Sequence, residues 1–443
     1  MKALVTNKEI IKLAAPISLA LLIPQISFLT NTAFLGRLGV KELGVNGITG
    51  IFYLILAMIG YGLSNGLQIQ MARRSGAHDR EGLSKIFTNG LMLAVFLALC
   101  LMMTTLWLAP LIFGYSLHNT ENILLSVNFL YIRVWGLPFL LLTQIFNSFF
   151  IVTGRSRYLV HGSVVATVVN IALDYVLIFG KCGFPQLGIM GAAIASVISE
   201  IAYCITLFSV YYFKKMQLQY PLRFYADFSL SLCQHTLKVA TPLIIQFMFS
   251  IGGWQVFFIF IEHLGQRELA ASQILRSIFG IVGIVTWAFA ATCNTMVSNI
   301  IGQGRQGEVI NLVGKIARLS ILFTAVLCVT LFAFSSEFLT LYRDDAELIR
   351  FALPSLRVIT LATLIMSLST VVFNGVVGTG NTLVNLSIEI ACVSSYLIYC
   401  YIVIYRMHSA LYICWLAEFV YWSTLLLTSF VYLRSGRWKG KKI

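Results

Sequence analysis

The chain has 443 residues, 58% hydrophobic and 11% charged, with a formal charge of +14 and a mean hydropathy of +0.86. An average globular protein carries roughly 25% charged residues, and no soluble core is large enough to hide this much apolar surface. Intrinsic disorder and a disulfide scaffold are excluded, and a soluble enzyme is disfavoured.

Taken in chain order, apolar runs of about 18 residues or more lie at 12–35, 45–70, 87–113, 122–150, 158–180, 187–212, 237–262, 271–300, 312–335, 345–375, 383–405 and 409–433. The expected fold class is an all-α membrane protein with twelve transmembrane helices. An even number of spans returns both termini to one side. That side holds Lys2, Lys8, Lys12, Arg73, Arg74, Arg80, Lys85, Arg155, Arg157, Lys214, Lys215, Arg223, Lys238, Arg305, Lys315, Arg318, Arg434, Arg437, Lys439, Lys441 and Lys442, which is 21 of the 31 basic residues. The opposite side holds Arg37, Lys41, Lys181, Arg267, Arg343, Arg350 and Arg406. Such a bias places both termini in the cytoplasm, so the positive charge reports topology and not a nucleic-acid partner. Of nine cysteines only Cys182 falls in an outer loop, and no CxxC pair occurs, so neither zinc nor a disulfide framework is indicated. No cleavable signal is apparent; the first span is expected to direct insertion.

Shifting the chain against itself by 226 residues aligns Pro16 with Pro242, Leu38-Gly39 with Leu264-Gly265, Glu42-Leu43 with Glu268-Leu269, Gly76 with Gly302, and Thr153-Gly154 with Thr379-Gly380. A single offset serving anchors so far apart marks an internal repeat. Each repeat carries six spans, so both enter from the same side and the pseudo-two-fold axis lies along the membrane normal. The expected organisation is a first lobe over 1–212, a cytoplasmic linker over 213–238, and a second lobe over 239–443 with a short basic tail. This is the architecture of a carrier that rocks one lobe against the other; a duplicated scaffold with no transport role is the alternative.

Polar residues inside spans are costly, and they select candidate sites. Asp174 lies six residues from the outer end of the fifth span, roughly 9 Å deep, with Asn170 one turn below it on the same face. Asn31 on the first span, Tyr131 on the fourth and Ser196 on the sixth fall at comparable depth. These oxygen-rich groups suit a proton or a small hard cation such as sodium; taken singly, Asn31, Tyr131 and Ser196 are equally well read as interhelical hydrogen-bonding glue. Arg133 with Glu200, and Arg357 with Glu418, sit mid-membrane on equivalent helices of the two halves. They suggest one structural ion pair per lobe. The second half adds Arg276, Trp254, Glu262 and Glu389 as substrate-cavity or conformational candidates, with Glu262 near the outer end of its span and Glu389 near the cytoplasmic end of its own. No GxxxxGK[ST] or HExxH motif occurs, so neither nucleotide hydrolysis nor zinc catalysis is expected.

Several stretches resemble the multidrug and toxic compound extrusion (MATE) transporters, within the larger multidrug, oligosaccharide-lipid and polysaccharide exporter group. They are Asn31-Thr-Ala-Phe-Leu-Gly-Arg-Leu-Gly39, Asn170-Ile-Ala-Leu-Asp174-Tyr, Ile178-Phe-Gly180 and Leu187-Gly-Ile-Met-Gly-Ala-Ala-Ile-Ala-Ser196, with Leu264-Gly265, Glu268-Leu-Ala-Ala-Ser-Gln273 and Gly378-Thr-Gly-Asn-Thr382 in the second half. The resemblance implies a V-shaped pair of lobes in a bacterial inner membrane. It further implies export of small amphipathic or cationic compounds in exchange for protons or sodium, without a cofactor, and a monomer among membrane lipid. By motif, Asn170 and Asp174 match the family's coupling site, Tyr131 and Ser196 match it less closely, and Pro16 matches a proline that lets the first helix bend. The family usually has Asp where this chain has Asn31, and an amide neither gains nor loses a proton near neutral pH. Coupling then falls to Asp174 alone, is shared with another carboxylate such as Glu389, or is altered. A lipid-linked saccharide flippase of the same group is the runner-up, and a non-transporting membrane assembly protein the third reading.

Overall fold

The computed structural model describes residues 5–116, 119–340 and 345–440; Lys2, Arg343, Lys441 and Lys442, used above in assigning sides, lie outside them. Among the described residues twelve helices are long and apolar enough to cross a bilayer. They are α1 (Asn7–Leu38), α2 (Lys41–Gly76), α3 (Arg80–Tyr115), α4 (Thr120–Val152), α5 (Arg157–Phe179), α6 (Ile189–Phe213), α7 (Leu230–Glu262), α8 (Gln266–Gly302), α9 (Gln306–Ala333), α10 (Ala346–Gly378), α11 (Thr382–Arg406) and α12 (Leu411–Ser435). The shortest, α5, has 23 residues, about 34 Å of helix against a hydrocarbon core of roughly 30 Å. Large apolar side chains such as Phe28, Trp107, Val168 and Val326 point outward along these helices. That pattern suits a lipid surround, where backbone groups bond within each helix and side chains need no water. The chain is an integral membrane protein.

The chain packs as two compact units: Leu19–Ile244, and the described residues up to Ser18 together with Ile245–Ile443. Both unit boundaries fall inside helices, two residues after Pro16 in α1 and two after Pro242 in α7. A proline inside a helix removes one backbone hydrogen bond and crowds the preceding turn. Each boundary therefore follows a turn loosened by a proline, and the two are 226 residues apart.

Within the first unit α5 and α6 pack closely because Gly191 leaves room for the Leu177 backbone, 2.7 Å from where its Cβ would stand. The loop between them is set by Gly180, a left-handed cap at φ 66° whose N–H bonds back to the Val176 carbonyl; a side chain there would be strained. The helix α4 is interrupted by a 3-10 turn at Val134–Gly136. Pro138 cannot donate to the Val134 carbonyl, which loosens the helix at that turn.

In the second unit α10 is the most enclosed helix, held against α8, α9 and α12. Where it meets α8 the packing is close: a Cβ at Gly378 would stand 2.7 Å from the Asn294 carbonyl. Close packing of small residues is what holds helices together where lipid removes the hydrophobic drive. A second element of this unit is a cluster around the buried Phe257, Tyr396, Cys400 and Trp415, with the Trp415 indole N–H donating to Ser272 at 3.2 Å.

Candidate functional site

Polar residues one turn apart on a helix share a face, and in the first unit two such pairs meet. Ser27 and Asn31 on α1 face Asn170 and Asp174 on α5 as two rungs. The Ser27 hydroxyl donates to Asn170 Oδ1, and Asn31 Nδ2 donates to Asp174 Oδ2 at 3.1 Å. Asp174 is fully buried, with Asn170 and Ser27 nearly so. Two atoms of the cluster are left over: Asp174 Oδ1, an acceptor, and Asn170 Nδ2, a donor, are buried without a hydrogen-bond partner. No ion pair involving Asp174 occurs among the described residues. A buried carboxylate with one open oxygen and no ion-pair partner can accept a proton or a cation.

Tyr131 and Ser196 stand apart from these rungs. The Tyr131 hydroxyl donates to the Leu106 carbonyl of α3 at 3.3 Å, and its ring packs on Ala109, Phe113, Val127 and Leu130. Ser196 is half-buried, and its carbonyl accepts from Ser199.

A second polar knot holds α2, α4 and α6. Arg133 and Glu200 pair at 3.0 Å, and the Tyr53 hydroxyl donates to both Glu200 oxygens at 3.2 and 2.9 Å. The Arg133 guanidinium lies over the Tyr53 ring, 3.8 Å from its centroid, a cation–π contact as well as an ion pair. Gly136, in the 3-10 turn of α4, allows this approach, since a Cβ there would run into the Glu200 carboxylate. Arg133 is also within electrostatic reach of Asp174.

The second unit corrects one expectation. Arg357 and Glu418 do not pair. Leu356 and Ile359 take the inward face of α10, which turns Arg357 outward, where its guanidinium lies 5.6 Å from the Phe332 ring centroid. Glu418 is buried and accepts instead from the Trp422 indole at 2.8 Å and the Tyr396 hydroxyl at 3.4 Å. Arg276 is half-buried, its guanidinium 5.1 Å from the Trp254 ring centroid and 5.3 Å from that of Phe258. Glu262, at the end of α7, is exposed. Glu389 is buried and takes a 2.6 Å hydrogen bond from the Tyr421 hydroxyl, so it does not reach out of the helix bundle. Pro16 is half-buried in the interior of α1.

Sequence reasoning passed over Ser27, Tyr53, Tyr396, Tyr421 and Trp422. Ser27 had a signal, because it precedes Asn31 by the same one turn that separates Asn170 from Asp174. The aromatic donors had none, since in-span tyrosine and tryptophan are common and only packing selects those that meet a carboxylate.

The MatE family model matches residues 16–176 and again 242–402. The two matches begin and end 226 residues apart, the same register as the internal repeat. The probable multidrug resistance protein NorM of Thermotoga maritima is 23% identical, covering 99% of this chain and 94% of that protein. Its namesake from Photorhabdus laumondii is 26% identical over 78% of this chain and 76% of that protein. Among solved structures, a MATE in complex with MaD3S superposes with a TM-score of 0.89 at 16% identity, covering 97% of this chain and 95% of that one. An outward-facing multidrug resistance MATE family transporter gives 0.87 at 17% identity, covering 98% and 97%. At these identities the structural likeness speaks to the fold.

Proposed function

The chain belongs to the MatE family of multidrug and toxic compound extrusion transporters, and from that membership we propose that it is a cation-coupled antiporter exporting small amphipathic or cationic compounds by alternating access. The observation that carries the coupling is Asp174, fully buried, held by Asn31 through one oxygen and unpartnered at the other. In the ionised form the open oxygen awaits a cation; in the protonated form it carries the proton, and Asn31 still donates to its neighbour. Each form favours a different arrangement of α1 against α5, because a carboxylate only accepts whereas a carboxylic acid also donates. Substrate shifts the resulting equilibrium by its differential affinity for the two arrangements. Ser27 and Asn170 act as positioning residues that hold the α1 and α5 faces together. Asn170 Oδ1 and the Ser27 hydroxyl, one helical turn away, add hard oxygens of the kind that sodium uses.

The reading places both termini in the cytoplasm of a bacterial inner membrane, on the strength of the basic bias between loops. The names of the NorM relatives support multidrug resistance as the physiological output. The test is uptake of a fluorescent organic cation into inverted vesicles, driven by a proton gradient and, separately, by a sodium gradient. Uptake driven by one gradient and abolished by Asp174→Asn, with the protein still in the membrane, is expected. Gradient-driven uptake that survives Asp174→Asn would remove Asp174 from the mechanism.

A further inference from the structure

The repeat register carries Ser27, Asn31, Asn170 and Asp174 onto Gly253, Phe257, Tyr396 and Cys400. That slot in the second unit is packed with rings: Phe257 lies 6.0 Å from Tyr396 and 5.0 Å from Trp415, centroid to centroid, beside a fully buried Cys400. It lacks a carboxylate of its own on α11, yet one enters from α12. Glu418, 3% exposed, accepts from Tyr396, the counterpart of Asn170, and from Trp422. Trp254 faces the same carboxylate, and Cys400, the counterpart of Asp174, lies within its electrostatic reach.

A second buried carboxylate adjoins it. Glu389 accepts from the Tyr421 hydroxyl, which is 3.4 Å from Ser250 on α7, and the Tyr396 and Tyr421 rings are 5.9 Å apart. One turn before Glu389 on the buried face of α11, Asn385 is fully buried with neither amide atom hydrogen-bonded. Neither glutamate has an ion-pair partner among the described residues. The groups facing them are Tyr396, Cys392 and Cys400 from α11, Tyr421 and Trp422 from α12, and Ser250 and Trp254 from α7. From α8, Arg276 reaches only the rings of Trp254 and Phe258, and Arg357 of α10 faces outward.

We propose that Glu418 and Glu389, joined through Tyr396 and Tyr421, form a second exchangeable-proton site in the second unit, separate from Asp174. Around Glu418 the partners fit a proton and not a metal ion. Indole N–H groups have no lone pair for a cation, and tyrosine hydroxyls reverse easily between donor and acceptor. When Glu418 takes a proton from water, its new O–H donates to Tyr396 Oη and the tyrosine hydroxyl rotates away. When Glu389 is protonated, it donates to Tyr421 Oη and Tyr421 turns its own proton to Ser250. Only O–H bonds form and break, and water supplies and receives the proton. What the proton is used for rests on the transport reading; that the site binds one does not.

The experiment is infrared difference spectroscopy of the purified full chain carrying Asp174→Asn, followed across a pH titration. A protonated-carboxyl stretching band that appears and disappears reversibly is expected, diminished by Glu418→Gln or Glu389→Gln and absent when both are present. Tyr396→Phe and Tyr421→Phe keep the rings, and each is expected to shift the band of its own glutamate, which decides the matter if the double variant fails to fold. A band that does not titrate, or that ignores all these changes, overturns the proposal. In vesicles, Glu418→Gln is expected to lower the number of protons exchanged per substrate. A missing band while the unsubstituted chain still shows coupled transport overturns the second site alone; a titrating band while the unsubstituted chain transports nothing overturns the antiporter reading alone.

Discussion

Glu200 and Glu418 lie on the last helix of their respective repeats, and the two units satisfy them by different means. In the first unit the glutamate is closed off by Arg133 and Tyr53, a full set of charge and hydrogen bonds. In the second, only neutral donors reach the carboxylate, while the arginines rest on aromatic rings. The 226-residue register carries Arg133 and Glu200 onto Ile359 and Leu426, so the second unit has no charged pair at the matching positions. A half-buried carboxylate with a fixed arginine acts as a structural rivet; Glu418, held by neutral donors, has no ion-pair partner among the described residues.

The comparison is broken most readily at the rivet. Arg133→Ala or Glu200→Gln leaves a buried group without its partner, and each is expected to lose about 3–5 kcal/mol, read as a lower thermal unfolding temperature in detergent and poorer yield. The charge swap of Arg133 and Glu200 is expected to recover much of it, and single variants of normal stability would show that the pair holds nothing. Glu418→Gln, by contrast, strands no charge: its amide oxygen still accepts from Trp422 while the Tyr396 hydroxyl turns to accept from the amide N–H, and a stability change of about 1 kcal/mol or less is expected.

Gly136→Ala tests the same knot from the backbone side. Its methyl group would enter the Glu200 carboxylate, and a loss of about 1–3 kcal/mol is expected by the same unfolding measurement. Asn31→Ala sharpens the contrast between rivet and open carboxylate. It removes the one hydrogen bond to Asp174, and an initial transport rate lower by about tenfold, equivalent to ~1.4 kcal/mol, is expected with little change in unfolding temperature. The smallest effect belongs to Arg357→Ala, whose side chain is exposed; a stability change within about 0.5 kcal/mol is expected. A large loss there would revive an ion pair with Glu418.

Much of the buried α1–α5 polar cluster was legible in sequence because Asn170 and Asp174 are four residues apart on one helix, and Asn31 lies on a helix of similar depth. Depth alone then reached too far. Tyr131 and Ser196 share it, yet one hydroxyl turns to Leu106 and the other side chain stays outside the rungs. The Arg133–Glu200 contact and the proposed Arg357–Glu418 contact rested on equal evidence, and only the first forms.

The linear chain by itself determined the number of spans, the 226-residue register and the identity of the costly polar groups, since apolar length and internal offset need no third dimension. Helix rotation and packing decided the partners. Each residue advances about 100° around a helix, so a shift of one position turns a side chain from the core to the exposed surface, as Leu356 and Arg357 illustrate. No one-dimensional pattern could have announced that Glu418 would be met by a tyrosine and a tryptophan, because that meeting depends on how α11 and α12 are turned toward each other.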